Sequence, residues 1–286
     1  MKNLLLLFFV FASCMPKQQK ETNGSQEPFL DEIHMEYSQN NFYSPFLDAV
    51  VNDSLHFKVI FDTGFPSNYF MASDSLKSIL KNDNASVQIG KSKKQMGIDY
   101  IENYRGSIFD IFGKNTILLG WEFFSGCVIE LSLEHQYIRV YENLPDIADY
   151  DKIKIEVTSS SHLAIPIKIV MQGKTMEDTV LIDTGNNGYA SFSTELVEKY
   201  GIKTADAHHG RAMTNVGLYS GYSLPVDTIR IGDLYVTNKE MTVAFRPKSK
   251  KRQVGGLIGV KSLQNFSVIL DLKNFDLYLK PMKLTN

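Results

Sequence analysis

Phe57-Lys-Val-Ile-Phe-Asp-Thr-Gly64 and Thr179-Val-Leu-Ile-Asp-Thr-Gly185 repeat one another within a single chain of 286 residues. Each is a run dense in β-branched and aromatic residues that ends in Asp-Thr-Gly, the pattern of a buried strand entering a tight turn. Upstream of each run lies another strand and a turn: residues 49–53, AVVND, in the first copy, and residues 165–170 followed by Gln172-Gly173 in the second. Each copy is therefore expected to be a hairpin whose second strand delivers the aspartate. Downstream, residues 74–80 and 194–200 read as short helices, with Ser193 placed to cap the second and Gly201 to stop it.

A second pair of matches completes the repeat. Ile117-Leu-Leu-Gly120 precedes Trp-Glu-Phe-Phe and the alternating strand VIELSL of residues 128–133, while Leu257-Ile-Gly259 precedes Val-Lys-Ser-Leu and the strand VILDL of residues 268–272. Asp62 and Asp183 stand 121 residues apart, Gly120 and Gly259 139 apart, so the second copy carries 18 additional residues. That insertion is expected to contain the strand pair of residues 228–236 and the basic loop 246–252. The pattern implies an all-β protein with few short helices. It divides into an N-terminal lobe over 29–146 and a C-terminal lobe over 147–286.

These residues resemble the aspartic proteases of the pepsin and retropepsin type, in which an apolar strand ends in Asp-Thr-Gly and two apolar residues plus Gly follow some 60 residues later. Having both copies in one chain resembles the two-lobed pepsins. The resemblance implies a bilobal pepsin-like acid-protease fold, with two pseudo-twofold-related β-barrel lobes and the cleft between them. It implies an aspartic endopeptidase whose catalytic residues are Asp62 and Asp183. Two carboxyls about 3 Å apart cannot both ionise cheaply, so one serves as base and the other as acid while water attacks the amide. Gly64 and Gly185 are expected to permit the tight turns. Thr63 and Thr184 resemble the threonines whose hydroxyls bond across to the opposite loop. Leu118-Leu119-Gly120 and Leu257-Ile258-Gly259 are expected to pack beneath those loops. No metal and no cofactor is implied.

The residue after Asp-Thr-Gly departs from the family, where Ser, Thr or Ala is usual: here it is Phe65 in one copy and Asn186 in the other. Asn186 can donate a hydrogen bond and Phe65 cannot, which implies an asymmetric pair with the shared proton on Asp62. It also keeps a second function open, a catalytically silent relative that binds extended peptides or a partner in the same cleft. A hairpin flap is expected over the substrate. Its candidates are residues 213–221 in the second lobe, with Asn215, Gly217 and Tyr219 as contact residues, and residues 91–105 in the first, with Gly97 near a tip and Tyr100 beyond it.

The N-terminus reads as an address. Lys2 precedes the apolar run LLLLFFVFA of residues 4–12 and then Ser13-Cys14. Nine apolar residues are too few for a spanning helix but suit a secretory signal. FASC resembles the lipobox of bacterial lipoproteins, implying a signal peptide over 1–13, lipidation at Cys14 and a polar tether over 14–28. A membrane-anchored place in the bacterial cell envelope, facing periplasm or surface, follows from that resemblance. Cys127 then has no disulfide partner and reads as a small core residue. The 30 basic and 32 acidic side chains leave a net charge of −2, which argues against a nucleic-acid partner. With 12% aromatic residues the chain can bury a large core, which argues against disorder. The expected state is a monomer acting on peptide or protein substrates. The adjacent His208 and His209 lack further ligands at metal-binding spacing.

Overall fold

The computed structural model describes residues 29–37, 44–67, 69–71, 80, 84–97, 99–101, 116–214, 217–236, 241–246 and 254–282. Among them the chain is mostly β-strand, with α-helices at Thr194–Tyr200 and Val260–Leu263 and a 3-10 helix at Trp121–Phe124. The all-β class follows from the two-residue alternation of the runs. Strand Leu163–Met171, for example, buries every second residue from Leu163 onward except where Ala164 also packs inward.

Both aspartate-bearing strands are second strands of antiparallel hairpins: Pro45–Val51 with Leu55–Phe61, and Leu163–Met171 with Lys174–Asp183. The second hairpin turns through Gln172 and Gly173 at φ 51° and 71°, the left-handed pair that a two-residue loop between twisted strands requires. Each aspartate strand then takes a parallel neighbour, Thr116–Leu119 or Gly256–Gly259. Those neighbours pair antiparallel with Tyr69–Met71 and Ala190–Ser193. Asp99–Ile101 and Thr242–Arg246 complete the series in parallel.

On the other flank, Pro45–Val51 meets Asn84–Ile89, which turns back as Ser92–Gly97. Leu163–Met171 meets Thr228–Ile231, which turns back as Leu234–Val236. Ile89-Gly90 and Ile231-Gly232 make the same turn, with the glycines at φ 57° and 61°. The strand pair of residues 228–236 therefore has a counterpart in the first copy and is not the insertion expected from the sequence. The structural addition is the hairpin His208–Thr214 with Gly217–Pro225, which joins the sheet through Thr242–Arg246. Ser193 and Thr228 leave room for it, whereas Met71 and Asn84 are separated by only 12 residues. The counterpart was hidden because Ser92–Gly97 carries lysines and glutamine where Leu234–Val236 carries Leu, Tyr and Val. The shared signal is a left-handed glycine and a register. For the same reason Gly97 is not at a hairpin tip. The turn lies at Gly90 and Lys91, Gly97 pairs with Asn84, and Tyr100 belongs to Asp99–Ile101.

A third sheet is built from both halves of the chain. Its order is Asp31–His34, Tyr137–Tyr141, Val128–Ser132, Phe266–Asp271, Asp276–Pro281, Asp151–Lys154, which maps onto itself when the halves are exchanged. At its centre Ile129 opposes Leu270 and Leu131 opposes Val268. The repeat therefore starts earlier than the aspartate hairpins, with Asp31-Glu-Ile-His-Met-Glu-Tyr37 against Asp151-Lys-Ile-Lys-Ile-Glu-Val157. The strand-free run 142–150 joins the two copies. Half-buried Cys127 packs against a continuous apolar core.

Helix Thr194–Tyr200 ends at Gly201, left-handed at φ 59°, as its sequence requires. Ser193 stands at the N-cap, but its hydroxyl makes no capping bond. Its backbone N–H donates instead to Gly255 O at 2.8 Å, which serves the sheet rather than the helix. The signal, Cys14, the tether, residues 74–79 of the helix expected over 74–80, residues 247–252 and Asn215 lie outside the described residues. No helix among the described residues is long and apolar enough to cross a membrane.

Candidate active site

Each Asp-Thr-Gly leaves its strand through the same turn. Phe65 N–H donates to Asp62 O at 3.2 Å, and Asn186 N–H to Asp183 O at 3.1 Å. The segment after each supporting glycine holds the turn from beneath. Trp121 N–H donates to Phe65 O at 3.1 Å and Glu122 N–H to Pro66 O at 3.3 Å. In the second copy Val260 N–H donates to Asn186 O at 2.9 Å and Lys261 N–H to Gly188 O at 3.3 Å. No side chain fits at either supporting glycine: a Cβ on Gly120 would lie 2.5 Å from Pro66 O, and one on Gly259 2.3 Å from Gly188 O. This explains why two apolar residues must be followed by Gly at that point in both copies.

The two loops are bonded to each other by their threonines. Thr63 Oγ1 donates to Ile182 O at 2.8 Å and accepts Thr184 N–H at 3.1 Å. Thr184 Oγ1 donates to Phe61 O at 2.7 Å and accepts Thr63 N–H at 3.0 Å. Both threonines are fully buried. Four reciprocal bonds of about 1 kcal/mol net each lock the loops, and each would leave a costly orphan if one partner were lost. Ser44, whose importance the local sequence did not reveal, adds a fifth tie, Oγ donating to Gly185 O at 3.3 Å.

This cross-bonding brings Asp62 and Asp183 together within hydrogen-bonding reach of one another. Gly64 N–H donates to Asp62 Oδ1 at 2.8 Å, and Gly185 N–H also donates to the Asp62 carboxyl. The glycines are packed against the opposite carboxyls. A Cβ on Gly64 would lie 2.7 Å from Asp183 Cγ, and one on Gly185 2.3 Å from Asp62 Oδ2. Neither glycine is among those at positive φ. Close approach of the carboxyls, and not backbone freedom for a tight turn, is what demands glycine at these two positions, which corrects the reason expected from the sequence.

The pair is unequal. Asp62 is 5% exposed while Asp183 is half-buried. Burial, followed by the charge of Asp183, pushes the Asp62 carboxyl well above the usual carboxylate range, against the pull of the two glycine N–H donors. A buried carboxyl beside a second one must keep a proton, so the pair shares one. The linkage sign follows: the folded state binds this proton more tightly than the unfolded chain. The associated stability is full below about pH 4, the ordinary aspartate value, and is lost as pH rises through the folded value, at up to about 1.4 kcal/mol per pH unit. Thermal unfolding followed from pH 3.5 to 7.5 is expected to show a decline with pH in the wild type that is visibly flatter in Asp62→Asn. Equal slopes would contradict the assignment of the proton.

Phe65 is half-buried at the rim of the first loop. Asn186 turns its side-chain oxygen back to accept Gly188 N–H at 2.9 Å, closing its own loop. Gly217 and Tyr219 lie on the added hairpin, opposite Thr214 and Ala212. His208 and His209 lie on its other strand, and among the described residues no three His, Cys, Asp or Glu side chains are grouped to hold a metal ion. Trp121 is buried and spans the two halves, its indole N–H donating to Ser161 O at 3.0 Å. No family model matches the chain. No curated protein matches it either.

Proposed function

We propose that this protein is an aspartic endopeptidase of bilobal, pepsin-like architecture, in which Asp62 and Asp183 together activate a water molecule for attack on a peptide bond. The observation that carries this is the pair of Asp-Thr-Gly loops, cross-bonded through Thr63 and Thr184, with the two carboxyls packed between Gly64 and Gly185. A binding cleft has no need of two carboxyls in contact, one of them buried, since the desolvation of such a pair opposes folding. Amide hydrolysis does need them: one carboxylate takes the proton of the attacking water while the protonated partner donates to the carbonyl oxygen, and the roles reverse as the intermediate collapses. With Asp62 the more buried member, the proton resides there in the resting state and Asp183 is the base.

The two self-related sheets and the shared central sheet support a lobe boundary at 146 and 147, with the dyad between the lobes. The hairpin of residues 208–225, in the C-terminal lobe, is the flap. Export and lipid anchoring at Cys14, through the tether 14–28, place the enzyme at the bacterial envelope, where it acts as a monomer on peptides or on proteins near the membrane.

A second function, a silent cleft that binds extended peptides, is favoured by Phe65 and by the inward turn of Asn186. Incubation of residues 29–286 with a mixed peptide library from pH 3 to 7.5 separates the two. Internal cuts are expected on the acidic side of that range. A folded protein that makes no cut at any pH, yet retains peptides, would leave the binding function standing. Phe65→Ser would then show whether that side chain is what silences the pair.

A further inference from the structure

The loop of Asp62 is tied sideways to the second half of the chain through one residue. Trp121 follows the supporting Gly120 and opens the 3-10 helix Trp121–Phe124. Its backbone N–H donates to Phe65 O at 3.1 Å, and its indole N–H donates to Ser161 O at 3.0 Å. The same ring meets Phe275 edge to face, with centroids 5.9 Å apart and 86° between the planes. Ser161 lies in the turn before strand Leu163–Met171, and Phe275 in the turn between Phe266–Asp271 and Asp276–Pro281. Both are left-handed, at φ 59° and 55°, a conformation that residues with a Cβ keep only where neighbours impose it. One buried side chain therefore meets two strained turns of the second half, while its backbone holds the aspartate loop of the first.

Exchange of the halves shows that this tie is one-sided. Val260 takes the place of Trp121 after Gly259, and its backbone N–H donates to Asn186 O at 2.9 Å. Gln136 takes the place of Phe275, at φ 56°. Met35 N–H donates to Gln136 O at 2.8 Å, as Ile155 N–H does to Phe275 O at 2.9 Å. The backbone frames agree turn by turn, yet valine has neither a ring nor a side-chain donor. The two loops also differ in how they close. Asn186 closes its own loop by accepting Gly188 N–H at 2.9 Å. The side chain of Phe65 has no hydrogen-bonding group with which to do the same. Trp121 supplies from outside the first loop what Asn186 supplies from within the second.

We propose that Trp121 is a positioning residue of the aspartate pair: by fixing Phe65 O relative to Ser161 O, it sets how closely the loop of Asp62 approaches the second half and so keeps the two carboxyls in contact. Its effect on turnover rests on the peptidase function proposed above. Its effect on the shared proton requires only the pair itself.

Trp121 is the only tryptophan of the chain, so growth of a tryptophan auxotroph on β-(3-benzothienyl)alanine replaces it alone. In that ring sulfur stands for the N–H, which keeps the packing on Phe275 and removes the donor. Trp121→Phe is a second replacement. Ile229→Val, at a buried position two strands away from that of Asp183, controls for lost stability. Thermal unfolding of the full-length protein is followed from pH 3.5 to 7.5. Both replacements of Trp121 are expected to flatten the fall in stability with rising pH, because carboxyls held less closely gain less from sharing a proton. Ile229→Val should lower the curve without changing its slope. His162 and Glu122 are ionisable neighbours of Ser161 and Trp121 in the chain. Each replacement is therefore repeated in Asp62→Asn, which keeps both and should show no further flattening. On any peptide that the wild type cuts, kcat is expected to fall about ten- to a hundredfold, the effect of a reacting group misplaced by up to about 1 Å, while KM stays within about twofold. A wild-type slope in both replacements, or flattening that persists in Asp62→Asn, overturns the assignment. So does a wild-type kcat, or a loss confined to KM. Absence of cuts by the wild type defeats the peptidase alone, and the slopes then decide the role of Trp121.

Discussion

Asparagine at position 62 or at position 183 is expected to lower kcat/KM by at least about 10⁴ on any peptide that the wild type cuts. Each carboxyl serves in turn as acid and base, and one such role contributes roughly 10²–10⁴. The loss should be nearly equal at the two positions and no greater in the double variant, because the pair acts as a unit. The same variants are expected to fold, since asparagine keeps the shape of the carboxyl and removes the need to bury or share a charge. At pH 7, Asp62→Asn should match or exceed the wild type in thermal stability. Steady-state kinetics on one defined peptide, beside melting curves, checks both expectations. A variant that retains activity at one position would show that the two aspartates do not form a single catalytic pair. Any bell-shaped pH profile of the wild type will report the pair, not either residue.

Alanine at Gly185 is the second large effect. Its Cβ would lie 2.3 Å from Asp62 Oδ2 and 2.4 Å from Asp62 Cγ, far inside contact distance, and Asp62 is held by backbone donors and cannot swing away. The loops must separate. That strains the threonine cross-bonds and is expected to cost about 1–3 kcal/mol of stability, as overpacking generally does. Activity should fall further than stability, by about 10²-fold or more, because a displacement near 1 Å between reacting groups has that effect. Gly64→Ala, whose Cβ would stand 2.7 Å from Asp183 Cγ, should follow in the same direction but less severely, since Asp183 is half-buried and has room to yield. Melting temperature and kcat/KM of the two variants check the order. A Gly185→Ala protein with wild-type kinetics would contradict the packing of the carboxyls described above.

Much of this site was legible in the residues. The aspartate strands, their hairpins and the supporting Leu-Leu-Gly and Leu-Ile-Gly segments follow from alternation, turn chemistry and repetition, which are local properties. The threonine cross-bonds were expected from a resemblance, and the distances show how short they are. Ser44 and the bridging role of Trp121 are not marked in the local sequence because each acts on the other half of the chain: Trp121 reaches Ser161 across 40 residues, and Ser44 reaches Gly185 across 141. Nothing in a local window marks such a residue. The misplaced insertion has a related cause. Strands Ser92–Gly97 and Leu234–Val236 occupy equivalent places with unlike side chains, because an exposed edge accepts almost any polar pattern while its register is dictated by the buried strand beside it.

The chain's own sequence determined that this is a β protein, that it contains one unit twice, and that each unit ends a buried strand in Asp-Thr-Gly; periodicity and turn residues suffice for that, since they act over a few residues. Only the tertiary structure decided which residues meet across the two units. There the packing of opposite loops, and not any local preference, fixes why Gly185 must lack a side chain and why Asp62 is the more deeply buried carboxyl.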